Sequence, residues 1–175
     1  MLARALRHHD LAPLTEGEGE MQRFCGIWAK NCTEWLITML ACMKVRTSVV
    51  GFYDAMGNSA VDFIIEQTEL RTIVCSKEYI KKVFAMKKEG LARHVKTLIS
   101  MNGGVEEVRE EASAAGIDVM DMSELIGQME NKQVALEETR PDDTYIFSYT
   151  SGTTGDSKGV KLNHRGILAV AECVL

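Results

Sequence analysis

Proline occurs only twice in these 175 residues, at Pro13 and Pro141, and the 14 glycines follow no fixed period. A collagen-like chain and a proline-rich spacer are thereby excluded. Long apolar runs are missing too. The longest, Trp35 to Met43, includes Thr38 and stops at Lys44, short of the roughly 20 apolar residues that a membrane-spanning helix needs. The cysteines lack the spacing of a zinc knuckle or a dithiol motif: Cys25, Cys32, Cys42, Cys75 and Cys173 are odd in number, and no two are separated by two residues. Each stands in an apolar stretch, where a free thiol behaves as a small hydrophobe, so we expect a reducing compartment and no disulfide framework. The glycosylation-like triplet Asn31-Cys32-Thr33 then reads as chance, with no secretory signal to support it. An excess of positive charge is also absent. The net charge of -5 argues against bulk attraction to polyanions. Basic residues crowd positions 77–96 and acidic ones 106–140, which we read as two solvated helical faces. The basic stretch has little of the aromatic interleaving of a nucleic-acid surface, so no nucleic acid is expected as a partner.

What the chain does contain is an ordinary globular composition, 46% hydrophobic and 26% charged, at a length suited to about one domain. Short apolar runs alternate with helical periodicity. Strands are predicted over 23–28, 47–53, 71–76, 94–101, 117–120, 145–149 and 160–162. Between them, Leu36, Met39, Leu40 and Met43 mark one helix, with Asn31 and Glu34 as a capping box. Val61, Phe63, Ile64 and Ile65 mark the next, capped by Asn58 or Ser59. Ile80, Val83, Phe84 and Met86 follow, capped by Ser76. A polar helix over 105–115 stops at Gly116, and a short one runs from Asp121 or Ser123 to about Glu130. Asn163 caps a final helix. The first nine residues, with Arg4 and Arg7 among Leu and Ala, read as a surface helix; the acidic residues that follow are wrong for a transit peptide. This alternation implies βαβ units: an α/β fold with a mostly parallel sheet and helices on both faces.

One segment stands apart. Tyr149-Thr150-Ser151-Gly152-Thr153-Thr154-Gly155-Asp156-Ser157-Lys158-Gly159-Val160 follows an apolar strand and packs hydroxyls, glycines and a lysine together. Such a loop suits polyphosphate. Glycines let the backbone turn its N–H groups toward an anion, hydroxyls donate to phosphate oxygens, and Lys158 supplies a point charge. The carboxyl end of a strand in an open α/β sheet is also where ligands sit. It is not a Walker A loop, because five residues after Gly152 stands Ser157. Nor is it a dinucleotide fingerprint, since Gly17-Glu18-Gly19 is followed at the third position by Gln22.

The string Tyr-Thr-Ser-Gly-Thr-Thr-Gly-x-x-Lys-Gly-Val resembles the AMP-binding signature of the adenylate-forming enzymes. Phe24 to Trp35, with Gly26-Ile27, Asn31 and Glu34-Trp35, is similar to a region of the long-chain fatty acyl-CoA synthetases, and Val50 to Gly57 resembles their next strand and turn. The resemblance covers nearly the whole chain. It implies a ligase reaction in which a fatty carboxylate attacks the α-phosphate of ATP and coenzyme A then displaces AMP from the acyl-adenylate. Carried onto this sequence, Thr150, Ser151, Gly152, Thr153, Thr154, Gly155 and Lys158 hold the β- and γ-phosphates by preorganised donors. ATP with Mg2+ and CoA are the implied cofactor and co-substrate, and a long-chain fatty acid the partner. Ser157 stands where the family commonly has proline, which loosens the loop.

The resemblance also makes residues 1–175 part of a larger AMP-binding domain, with the signature at 149–160. The magnesium ligand, the ribose aspartate, the hinge, the catalytic lysine and the small C-terminal domain are expected outside these residues. So no catalytic residue and no metal ligand is assigned here, the isolated chain is expected to make no acyl-CoA, and membrane association would come through regions outside it. The expected location is the cytoplasm or the cytosolic face of an organelle membrane. Two alternatives stand beside this reading: a non-catalytic product that binds nucleotide or a partner, and an adenylate former for another acid. Among the remaining candidates, His164 reads as a helix start, Trp28 and Trp35 as packing residues, Asp142 and Asp143 as a solvated turn, and the ten methionines as core filling.

Overall fold

Strand and helix alternate along the chain in the computed structural model, which describes residues 1–17, 20–151 and 157–174. In order, the elements are α1 (Leu2–His8), β1 (Leu14–Gly17), β2 (Glu20–Trp28), α2 (Thr33–Met43), β3 (Ser48–Phe52), α3 (Asn58–Thr68), β4 (Thr72–Cys75) and α4 (Lys77–Lys88). Then come β5 (Thr97–Ser100), α5 (Val105–Ala115), β6 (Asp118–Asp121), α6 (Met122–Gly127), β7 (Thr144–Ser151), β8 (Ser157–Asn163) and α7 (His164–Val174). The strands form one sheet in the order β6-β5-β4-β2-β3-β7-β8, and β1 pairs with β2. Every pairing from β6 across to β7 is parallel; β1 on β2 and β8 on β7 are antiparallel. The α/β fold with helices on both faces is therefore as the sequence predicts.

Side-chain alternation along the strands sorts the core into two layers. Phe24, Trp28, Val50, Ile73, Leu98 and Phe147 face one side, where they meet Ile64, Ile65, Ile80, Val83 and Phe84 from α3 and α4. Cys25, Ile27, Val49, Val74 and Ile99 face the other, against Leu2, Leu6, Cys42 and Leu125 from α1, α2 and α6. The central strands are buried throughout, as parallel strands sandwiched by helices must be. Gly26 sits at the tightest point. A Cβ there would lie 2.9 Å from Leu70 Cδ2 and 3.0 Å from Phe52 Cε2, so only glycine lets β2 approach that layer.

Several local expectations are corrected. The N-cap of α2 is Cys32 and that of α3 is Gly57; Asn31, Asn58 and Ser59 do not cap, and neither helix has a side-chain cap bond. Ser76 is the N-cap of α4, but its side chain makes no cap bond; Asn102 Oδ1 instead accepts from the Lys77 N–H at 2.9 Å. Asp121 and Asn163 do cap, accepting from Ser123 and Glu124 N–H and from Gly166 N–H. The helix α1 lies partly inside the molecule, with Leu2, Ala3, Ala5 and Leu6 buried. In α2 the buried face is Thr38, Ala41 and Cys42, while Leu36 and Leu40 point outward. Small residues let that helix close on the sheet, and the larger leucines are left on its far side. Cys25, Cys42 and Cys75 are buried as expected, but Cys32 and Cys173 are exposed. The strand β1 carries no apolar alternation and was not predicted; it exists through its pairing with β2.

Candidate functional site

The strands β2, β3 and β7 run parallel, so their carboxyl ends emerge along one edge of the sheet. At that edge a cleft of about 760 Å3 opens between the segment after β2, Trp35 of α2, the turn at Tyr53–Ala55 and the last residues of β7. The signature segment arises here. β7 rises beside β3, with Val50 opposite Phe147, and β8 returns antiparallel along β7 with Thr150 opposite Lys158 and Ser151 opposite Ser157. The sequence marks a strand on each side of the loop; the structure adds that they are the two legs of one hairpin.

Of the predicted phosphate-binding residues, Thr150, Ser151 and Lys158 belong to this stem, while Gly152, Thr153, Thr154 and Gly155 lie outside the described residues. Directly opposed residues of an antiparallel pair place their side chains on the same face, so the Thr150 hydroxyl and the Lys158 ammonium share one side of the stem. Both are exposed. A hydroxyl and an ammonium side by side donate to adjacent oxygens of an anion, which is the chemistry a polyphosphate tail requires.

The other face of the stem is held from within the fold. Tyr149 is buried, and its hydroxyl donates to Gln67 Oε1 on α3 at 2.8 Å. Its backbone carbonyl accepts from the Tyr53 hydroxyl at 3.3 Å. Gly159 passes so close to the rings of Phe147 and Tyr149 that a Cβ would meet them at 3.0–3.2 Å. Tyr53 and Gln67 were not anticipated from sequence. Tyr53 only closes an apolar run, and Gln67 stands on the outer side of an amphipathic helix, so neither carries a pattern that signals its role.

Beside the cleft, Trp28 stacks on Tyr79 with centroids 5.0 Å apart, and Lys82 Nζ lies 4.7 Å from the Trp28 ring centre. The Tyr79 hydroxyl donates to Asp54. Trp28 is thus a packing residue, as expected, whereas Trp35 is half-buried and lines the cleft. His164 begins α7 and rests against Tyr145, centroids 5.3 Å apart.

Asp142 and Asp143 are more than a solvated turn. Asp143 accepts two bonds from Arg46, each 2.8 Å, which hold its carboxyl below the usual aspartate range, and Asp142 pairs with Arg165 at 2.9 Å. They anchor the start of β7 at the opposite edge of the sheet. A second cleft of about 490 Å3 opens there, but Arg46, Glu137 and Asp143 along it are paired with one another. Among the described residues no group of three His, Cys, Asp or Glu side chains could hold a metal ion, and no helix is long and apolar enough to cross a membrane.

Comparison with known proteins shows the family. The AMP-binding enzyme family matches residues 2–174. The chain is 35% identical over 158 residues to long chain acyl-CoA synthetase 5 of Arabidopsis thaliana, covering 90% of this chain and 23% of that enzyme. It is 28% identical to long-chain-fatty-acid–CoA ligase 5 of Mus musculus, covering 87% of this chain and 22% of that one. It therefore spans less than a quarter of the length of these relatives. Among solved structures, the adenylation domain of a Mycobacterium chelonae carboxylate reductase superposes with a TM-score of 0.76 at 18% identity, over 94% of this chain and 26% of that one. A long-chain-fatty-acid–CoA ligase from Archaeoglobus fulgidus superposes with a TM-score of 0.71 at 18% identity, over 99% of this chain and 29% of that one. Parallel sheet, signature hairpin and relatives agree: the chain belongs to the AMP-binding family of adenylate-forming enzymes.

Proposed function

We propose that this chain is the phosphate-binding part of an ATP-dependent long-chain fatty acid–CoA ligase. The observation that carries the reading is the signature string itself, joining β7 to β8 at the carboxyl edge of the parallel sheet, with Thr150 and Lys158 on one side of its stem. Residues 150–155 and Lys158 hold the β- and γ-phosphates of ATP, the part that leaves as pyrophosphate. Their contribution is charge stabilisation by donors already in place, without a covalent step. The fatty carboxylate attacks the α-phosphate to give acyl-adenylate, and the CoA thiol displaces AMP. Mg2+ accompanies ATP, its protein ligand lying outside these residues. The location proposed is the cytoplasm or the cytosolic face of an organelle membrane. Support for a fatty acid over another acid comes from the names of the relatives with the higher identity, long chain acyl-CoA synthetase 5 and its counterparts.

The ribose aspartate and the catalytic lysine are expected outside these residues, so the chain alone is expected to bind ATP without forming a thioester. Replacing Lys158 by Ala should weaken ATP binding by about 10- to 100-fold, since a hydrogen bond to a charged group contributes about 1.5–3 kcal/mol. Calorimetric titration with ATP measures it, and unchanged affinity removes Lys158 from the site. ATP- and CoA-dependent thioester formation by the purified chain would overturn the assignment of an incomplete catalytic unit.

A further inference from the structure

We infer that Tyr53 and Gln67 are positioning residues for the phosphate loop: they fix the residue from which it springs, and so set where Thr150 and Lys158 present their donors. The inference rests on the phosphate-binding reading above and adds to it two residues far from the signature. The β3–β7 ladder ends at Val50 opposite Phe147. Two residues further on, the Tyr149 carbonyl is bonded by a side chain, the Tyr53 hydroxyl at 3.3 Å, from 96 positions away in sequence. The same residue is bonded at its other end, its hydroxyl donating to Gln67 Oε1 at 2.8 Å across 82 positions.

The consequence is geometric. Holding the Tyr149 carbonyl fixes the peptide plane between Tyr149 and Thr150, and with it the place of the Thr150–Lys158 pair on the β7–β8 ladder, whose side chains carry the donors. Holding the hydroxyl fixes the ring on which Gly159 lies, the residue next to Lys158. Tyr53 is itself exposed at the rim of the cleft, so its hydroxyl is not needed to fill the core. Its bond is modest in energy but specific in direction, which is what a site requiring aligned donors uses.

The test is a double-mutant cycle on the purified chain, read by calorimetric titration with ATP. Tyr53→Phe removes only the hydroxyl and should weaken ATP binding about five-fold, the size of one ordinary hydrogen bond. In a Lys158→Ala background the same change should cost about two-fold or less, because the residue acts through the donor that is already gone. A residue that merely supports the fold would give the same loss in both backgrounds, and that additive result overturns the inference, as does unchanged affinity in Tyr53→Phe. Gln67→Ala, at an exposed helix position, provides the same cycle should Tyr53→Phe lower the melting temperature. Loss of binding in Lys158→Ala with none in either positioning variant sinks this inference alone. Failure of the unaltered chain to bind ATP sinks the phosphate-binding reading and takes the inference with it.

Discussion

The β2–β6 half of the sheet and the β7–β8–α7 end are built on different terms. In the first, β3, β4 and β5 are buried almost throughout, α3 buries four residues, and α4 buries five: Tyr79, Ile80, Val83, Phe84 and Met86. In the second, β8 lies open on one side and α7 buries none of its residues. Leu168, Val170 and Val174 are 62%, 64% and 80% exposed. The end that carries the signature is attached to the rest mainly by pairing and polar bolts. Among these are the β3–β7 ladder, the Arg46–Asp143 ion pair, the bond from Ser48 Oγ to the Thr144 carbonyl, and the bonds of Tyr149 to Tyr53 and Gln67. The parallel half is held by packing, whereas the signature end adds direction-specific contacts to the packing of Phe147 and Tyr149. A site that must align donors with an anion is served by the second kind of attachment.

The largest expected effect breaks the packed half. Phe84→Ala, at a fully buried ring between helix and sheet, should cost about 3–5 kcal/mol in denaturant unfolding, as deletion of a core phenylalanine typically does. A loss under about 1 kcal/mol would mean that the layer relaxes far more than a close-packed core does.

The next tests a bolt. The Asp143 carboxyl is held below its ordinary value of 3.8, first by its hydrogen bonds to Arg46. A depressed carboxylate contributes stability that is fully present above the unfolded value and is lost as pH falls through the folded one. Asp143→Asn should therefore cost about 1–2 kcal/mol at pH 7, and the gap to the unaltered chain should close below about pH 4. A gap that persists into acid would show that the ion pair is not its source. The smallest effect belongs to the open end. Leu168→Ala should change stability by about 0.5 kcal/mol or less, since an exposed side chain surrenders little on truncation. A cost comparable to that of Phe84→Ala would show that α7 is covered in solution.

The same contrast decides what was legible in the sequence. Hydrophobic period and turn residues mark most elements of the packed half, because burial on both faces writes itself into runs such as Thr72–Cys75 and Thr97–Ser100. Caps are less legible. Asn31 and Ser59 have the chemistry, but a cap also requires the backbone geometry of the position just before the helix, which Cys32 and Gly57 hold. The strand β1, Leu14–Gly17, was invisible because its existence depends on β2 and not on its own pattern. At the site, the signature string was plain, since its glycines, hydroxyls and lysine are contiguous. The hairpin geometry of its stem, and the side chains of Tyr53 and Gln67 that fix it, were not. Those contacts join residues 82 and 96 positions apart, a separation that no local pattern encodes.

The sheet also ends in two unlike rims. One is β6, only four residues long and beginning and ending in Asp118 and Asp121, a short acidic border that discourages another strand from joining. The other is β8, seven residues long, with Val160 and Leu162 each 41% exposed. Among the described residues no strand lies beyond it. In a concentrated solution of the isolated chain, the rim next to the signature is therefore the one suited to recruit a strand from a neighbouring molecule. Substitutions meant to improve its handling belong on β8, with Lys158 left in place.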